Sequence, residues 1–583
     1  MTDRRVVLRY LYIIFGLAAF TYLVGNWSVG LWDRDEPRYA QCSREMLTGS
    51  AEFPGSDFVV PRFLGEDRYA KPPFIYWLQA GSMTIFGQNA FAARFPSTVA
   101  MLGVLAIVFA YTKRITNDDN EQALWTTFIL ATSALVIVAA KASLTDATLL
   151  VFVTVAHICA YRILQHEGTW ATWAVAGAAI GLAGLTKGPV VLGMVGSTAA
   201  ALLLLWAFDK WSSHLAAKRE KSGIPGLSGT SASAIQPITV SEHRPIDARD
   251  VALVVFKSLM LLAIVAAIVL PWIYLLEQRS PGFLKTSWSI NVVDRIRSGS
   301  EGHDGWPGYY LATIWGTFFP WSIFIPMAIV FGWMRRRTHP HLRYALAAFI
   351  GPLVMLEFVQ TKLPHYLLPS FPFLAILTAD ALVRCFRGEH LDLIRKFFVD
   401  VIRGWSLVVA VFGLAPWLLY YQFSQQPWFG LAIYTLVTIA YGIVVYLYFA
   451  DRKPRHGVAV MGIGMIAIVV ATHTLFLPWA SYLHVSHRVA TILKQNGATT
   501  PGSVVMQDYK EPSLGFYQGG TIRELSSMTI TPEKLPQWLV TTRDVYTKTP
   551  EDVQAQFDVI DSVTGLAIAD GGRKVEVMVL KKR

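Results

Sequence analysis

The chain has 583 residues, 53% of them apolar and only 16% charged, with a mean hydropathy of +0.41, which excludes an ordinary soluble domain and makes it a polytopic membrane protein. Its formal net charge of +11 is spread over short connections between apolar runs, and no basic stripe carries interleaved aromatics. The charge therefore speaks for orientation in a bilayer and against nucleic acid.

The N-terminal MTDRRVVLRYLYIIFGLAAF has no convincing small-residue cleavage site after its apolar core and reads as a retained first helix. A long non-membrane segment follows, Trp32 to Trp77, with WDRDEPRYAQCSREM near its start and RYAKPPFIYW near its end. Asp33, Asp35 and Glu36 come within five residues of the apolar run ending at Leu31, which holds them near a bilayer surface. Lys71 returns toward the membrane just before Pro72 and Pro73, which interrupt the backbone. A carboxylate and a lysine are thus expected at one depth.

Apolar runs long enough to cross a ~30 Å hydrocarbon core recur about thirteen times. They lie near 9–31, 94–112, 122–141, 145–164, 170–186, 189–208, 251–276, 309–333, 343–360, 366–385, 402–422, 428–450 and 457–477. With Arg4, Arg5 and Arg9 cytoplasmic, the alternate connections take Lys113–Arg114, Arg162, 209–250, Arg335–Arg337, Arg384–Arg403 and Arg452–Arg455, as the positive-inside rule asks. The 209–250 segment, with GIPGLSGTSASA and few aromatics, reads as a flexible cytoplasmic insertion without chemistry. Trp32, Trp77, Trp306, Trp315 and Trp321 are expected in an interfacial aromatic belt.

From about Leu483 the composition shifts: VSHRVATILKQ reads as a helix, and SVVMQD, WLVTT, DVIDSV and VEVMVL as short strands. The expected fold is therefore an all-α membrane domain over 1–482, with juxtamembrane helices in a first outer loop at 32–93, followed by a small α/β domain over 483–583. An odd number of spans puts that domain on the periplasmic side.

The outer connections hold isolated polar residues: Asp35, Lys71, Asp146 in LTDAT, Lys187 in LTKGP, Asp294 and Arg295 in NVVDRIR, and Lys362 and Tyr366 in TKLPHYLLP. Singly, such charges anchor at headgroups, snorkel or cap helices. Together, from separate connections, they suit a cavity for a lipid phosphate, with an Asp as general base or electrostatic partner for group transfer. There is no Walker loop, dinucleotide fingerprint or HExxH motif. A metal or paired-carboxylate site at Asp33 and Asp35 is the weaker reading, because side chains two apart rarely converge unaided. Cys42, Cys159 and Cys385 are too scattered for a disulfide framework or a metal cluster.

WDRDEPRYAQCSREML, RYAKPPFIYWLQA, LTDAT, LTKGP, LPW at 270–272, NVVDRIRSGSEGHDGWPGYY and TKLPHYLLP, in this order, resemble bacterial GT-C membrane glycosyltransferases similar to the lipid A aminoarabinose transferase (glycosyltransferase family 83-like), a group placed with the protein O-mannosyltransferases. The resemblance spans roughly Trp32 to Pro369 and is most specific in the first loop. It implies an inverting transferase that takes a sugar from a polyprenyl phosphate carrier to a periplasmic acceptor: lipid A, another glycan, a lipid or a protein. By residue match, Asp35 is the first-loop catalytic aspartate. Lys71, Arg295 and Tyr366 hold the carrier phosphate, and Asp146 and Lys187 sit beside the cavity, Asp146 counted with Asp35 as catalytic. His303, Tyr309 and Tyr310 fall in a loop that rearranges on carrier binding, with Asp33, Asp294 and Lys362 near cavity or loop. The aminoarabinose transferase type supplies metal ligands from a glutamate before the first-loop lysine and a histidine three residues before the arginine. This chain has Ala70 and Val292 there, so the resemblance implies no metal cofactor, with Arg68 in a compensating role. The rival from another class is a transporter or flippase of lipid-linked substrates, which would favour midplane sites and internal repeats.

Overall fold

The computed structural model describes every residue except 1–3, 33, 51–52, 222–247, 295–304, 390, 424–427, 510 and 526–534. Helix α1 (Arg4–Leu23) leads into the first loop, which folds as α2 (Asp35–Thr48), a hairpin of β1 (Arg62–Phe63) and β2 (Glu66–Asp67), and α3 (Phe74–Phe86). The bundle continues through α4 (Ala90–Ile115), α5 (Asn120–Thr132), α6 (Ala134–Lys141), α7 (Asp146–Leu164), α8 (Trp170–Lys187), α9 (Val190–Lys221) and α10 (Ala248–Arg279). After α11 (Phe283–Trp288) the backbone makes a π-helical turn, Ser289–Val293. The second half comprises α12 (Tyr309–Thr317), α13 (Ile325–Arg335), α14 (Pro340–Glu357), a 3-10 segment Pro364–Ser370, α15 (Phe371–Phe386), α16 (Leu391–Phe423), α17 (Trp428–Ala450) and α18 (Pro454–Ala471).

Among the described residues nine helices are long and apolar enough to cross a membrane, or ten if the pair α5–α6, bent by 62°, is one span. The expected thirteen is not confirmed by that measure. The 309–333 run is interrupted at Pro320, which has no N–H to donate, and becomes α12, a 3-10 turn Trp321–Phe324 and α13. The runs at 170–186 and 343–360 do form α8 and α14, but Lys187 in the first and Arg343 and Glu357 in the second dilute their apolarity. Helix α15 is buried around its circumference, the property of a hub helix. It packs on α5, α13 and α14.

Two local expectations change. Trp321 is fully buried, its Nε1 donating to Thr132 Oγ1 at 3.1 Å, so it belongs to the core and not to a surface belt. The 209–250 insertion begins as helix, since α9 runs on to Lys221. Asp209 near its start is buried and pairs with Arg336 at 2.7 Å and Arg337 at 3.0 Å, which tie α9 to the end of α13.

The C-terminal unit pairs α19 (Val485–Gln495) and α20 (Pro512–Gln518) with a five-stranded sheet. Its strands are β3 (Val504–Gln507), β4 (Arg523–Leu525), β5 (Trp538–Thr542), β6 (Phe557–Ala567) and β7 (Arg573–Lys582), in the order β4-β3-β5-β7-β6. Strand β3 is parallel to β4 and β5, while β7 is antiparallel to β5 and β6. The periodicity found four of the five strands; the three-residue β4 is too short to show one.

Candidate active site at one end of the bundle

Asp35 and Glu36 occupy the first turn of α2, where carboxylates complement the exposed N–H groups and the helix dipole. The two side chains part company there. Glu36 turns inward, 3% exposed, onto an equally buried Arg94 of α4, at 2.7 Å to Nη2 and 3.0 Å to Nε. Its carboxylate also accepts the N–H groups of Ser143 (2.6 Å) and Trp32 (3.0 Å), while Arg94 donates to the carbonyls of Val29 and Gly30, each at 2.8 Å. One buried ion pair thus fixes the start of α2 against α4 and against the turn that leads into α7. Asp35 remains about half exposed, with Arg68 Nη2 3.6 Å from its Oδ1.

Arg68 is delivered by the β1–β2 hairpin, whose turn holds Leu64 at φ +53° and Gly65 at φ +86°. A leucine in that region is strained, and the buried Glu45 of α2 secures it by accepting the N–H groups of Leu64 (2.8 Å) and Gly65 (3.1 Å). The guanidinium lies over the Tyr39 ring at 5.6 Å. Burial works against its charge, but the surrounding Tyr76, Cys42, Tyr39 and Asp35 leave its pKa above the ordinary value. Three residues on, Lys71 Nζ donates to Asn291 Oδ1 at 3.3 Å, across to the π-helical turn.

The facing wall comes from α7, α8 and the 3-10 segment. Asp146 begins α7 and Lys187 ends α8, and they pair at 2.6 Å with side chains 9% and 10% exposed. Lys187 Nζ lies 5.0 Å from the Tyr366 ring centroid, and His365 Nε2 approaches the other Asp146 oxygen at 4.0 Å. Asp146 is within electrostatic reach of Lys71, and His365 within reach of Asp35 and Lys71. The structure therefore brings Asp35, Arg68, Lys71, Asp146, Lys187 and Tyr366 to one end of the bundle.

Lys362 makes a separate ion pair. It is 3% exposed on its side chain and bonds Glu357 at 2.8 Å, and Glu357 in turn accepts the N–H groups of Gly308 (3.1 Å) and Tyr310 (3.0 Å). Lys362 therefore braces the entry to α12, where Tyr309 and the buried Tyr310 sit. Asp294 follows the π-helical turn and is half-buried. Asp33, Arg295 and His303 lie outside the described residues.

The residue-by-residue reading missed Arg94, Asn291, Glu357 and His365, and gave Glu36 no partner. The signal available for Arg94 was an arginine opening an apolar run; for Asn291, nothing in the sequence marks its partners Tyr69 and Lys71, which lie more than two hundred positions away. For a divalent metal, Ala70 and Val292 present no donor atom, and among the described residues no three His, Cys, Asp or Glu side chains come together.

The C-terminal unit docks behind α2. Arg44 donates to the Phe516 carbonyl at 2.8 Å and lies over the Phe516 ring, Arg34 donates to the Ala569 carbonyl at 2.7 Å, and the Tyr517 hydroxyl accepts the Leu31 N–H.

Residues 70–218 match the family model described as dolichyl-phosphate-mannose-protein mannosyltransferase. The undecaprenyl phosphate-alpha-4-amino-4-deoxy-L-arabinose arabinosyl transferase of Photorhabdus laumondii is 25% identical over 434 residues, 74% of this chain and 70% of that one. Its namesake in Yersinia pestis (strain Pestoides F) is 27% identical over 413 residues, 69% of this chain and 65% of that relative, slightly under two thirds of its length. ArnT from Cupriavidus metallidurans, in a crystal structure bound to undecaprenyl phosphate, superposes with a TM-score of 0.72 at 20% identity, covering 98% of both chains. The chain resembles the aminoarabinose transferases and has their GT-C fold. The long apolar helices of its bundle are those of a multi-pass membrane protein.

Proposed function

We infer that the chain is an inverting glycosyltransferase that moves a sugar from a polyprenyl phosphate carrier to an envelope acceptor, in a site opening on the periplasmic side. The observation that carries this reading is the half-exposed Asp35 beside Arg68, with Lys71 and the Asp146–Lys187 pair within electrostatic reach of the same His365. In the proposed reaction an acceptor oxygen attacks the anomeric carbon, and the bond to the carrier phosphate breaks with its electron pair passing to the phosphate. Lys71 stabilises that growing charge, as preorganised cations do, and Arg68 adds to the field. Asp35 orients the acceptor and takes its proton when it is a hydroxyl; a phosphate acceptor brings none to remove. Lys187, neutralised by Asp146 and resting on Tyr366, shapes the cavity wall. Arg295 is proposed as a further phosphate ligand on the resemblance alone. Lipid A is the acceptor the relatives' sugar suggests, and another glycan, lipid or protein would meet the same chemistry.

The test is transfer from a lipid-linked donor by purified protein in detergent, read by mass spectrometry of envelope acceptors and released carrier. A flippase would move donor across a proteoliposome without consuming it, and that result would overturn the reading. The orientation has its own check. A periplasm-dependent reporter is expected to be active when fused after Lys71, Arg295 or Arg583 and silent within 209–250, and activity within that insertion would reverse the topology.

Turnover is also expected to survive chelators, because positions 70 and 292 carry alanine and valine and the cavity charge is balanced by Lys71, Arg68 and Arg295. Stoichiometric zinc in the purified protein together with chelator-sensitive activity would sink this expectation.

A further inference from the structure

Asn291 opens the NVVDRIR motif but is given no role in the reading above, yet its side chain ties together the two segments that carry the candidate phosphate cations. Its Nδ2 donates to the Tyr69 carbonyl at 2.7 Å and to the Ser287 carbonyl at 2.9 Å, with Ser287 Oγ at 3.3 Å, and its Oδ1 accepts from Lys71 Nζ at 3.3 Å. The amide orientation follows from its partners: two carbonyls can only accept and an ammonium can only donate, so a flipped amide would lose all three bonds. Asn291 lies in the five-residue π-helical turn Ser289–Val293. Such turns offset the side-chain register of a helix and recur at functional sites.

The position is selective for Asn. A donor alone would hold the Tyr69 carbonyl but not the lysine; a carboxylate would hold the lysine but repel the carbonyl and any phosphate. Asn does both while staying neutral, so Lys71 is oriented without its charge being cancelled. We propose that Asn291 is a positioning residue that fixes the Tyr69–Lys71 turn to the α11 end and presents the Lys71 ammonium to the carrier phosphate. The hydrogen bonds of this brace flank Ala70 and Val292, whose side chains carry no metal-ligating atom.

The proposal rests on the reading of Lys71 as a phosphate cation, and the test separates the two. Binding of undecaprenyl phosphate to the full-length protein in detergent is measured together with the melting temperature for Lys71→Ala, Asn291→Ala and Asn291→Asp. Lys71→Ala is expected to weaken binding about 10- to 100-fold, the loss of one charge-assisted contact. Asn291→Ala is expected to weaken it about 3- to 10-fold, as for a neutral hydrogen bond, at unchanged melting temperature. Asn291→Asp, the same shape, is expected to bind more weakly than Asn291→Ala, because a carboxylate there competes with the phosphate for the same ammonium. A brace that matters only for folding predicts the reverse order, with Asp milder than Ala and the melting temperature falling in step. Binding by Asn291→Asp as tight as, or tighter than, that by Asn291→Ala overturns the proposal while leaving Lys71 in its role. Unchanged binding in Lys71→Ala overturns both.

Discussion

Asp35→Asn is expected to lower turnover by about 10²–10⁴-fold, the range for removing a positioned general base, while undecaprenyl phosphate binding stays near that of the parent. The separation follows from geometry. Asp35 meets Arg68 only at 3.6 Å and is about half exposed, so it is not needed to hold the cation cluster, and asparagine preserves its shape at the start of α2. Its carboxylate is free to meet an acceptor, and the amide cannot accept a proton. The measurement is kcat with saturating donor, beside carrier affinity from a binding titration. Near-normal turnover would remove Asp35 from the reaction; a large fall in affinity with kcat preserved would recast it as part of the carrier site. An acceptor that arrives as a phosphate anion predicts the lower end of the range, because only orientation is then lost.

The largest effect on stability is expected from Arg94→Ala. Removing one partner of a buried ion pair costs roughly 3–5 kcal/mol, because the charge left behind has neither water nor a counter-ion. Here that charge is Glu36, 3% exposed and hydrogen-bonded to two backbone N–H groups besides Arg94. The Val29 and Gly30 carbonyls would lose their donor as well. Thermal unfolding in detergent reads the loss, and the double variant Glu36→Gln with Arg94→Met is expected to recover much of it by removing the stranded charge. Recovery that fails in the double variant, or a single variant as stable as the parent, would show that the pair is not the fastening described. Because Glu36 follows Asp35 directly and also holds Ser143, three residues before Asp146, the single variant is expected to lose activity along with stability.

Asp35, altered directly, and Glu36, stranded through Arg94, are adjacent residues with opposite duties that residue type alone does not distinguish. In DEPRY, Asp35 and Glu36 are neighbouring carboxylates beside an apolar run. A helix turns by about 100° per residue, so one meets Arg68 and the other faces α4, but which is which depends on where the bundle lies. Arg94 settles it from fifty-eight positions away.

By itself the sequence determined the membrane class, through long apolar runs whose burial in lipid needs no particular neighbour. Local periodicity likewise determined the helix and four of the five strands of the C-terminal sheet unit, and the motif order gave the resemblance and the carboxylates and cations to watch. Only the tertiary structure decided how those groups combine. Lys187 pairs with Asp146, whereas Lys362, chemically the same, is drawn to Glu357. Trp321 enters the core in place of an interface, and the 309–333 run breaks at Pro320. Each outcome turns on a partner brought near by packing: a charge or an indole is stable wherever a counter-charge or hydrogen-bond acceptor meets it away from water, and sequence spacing records the group without recording what it meets.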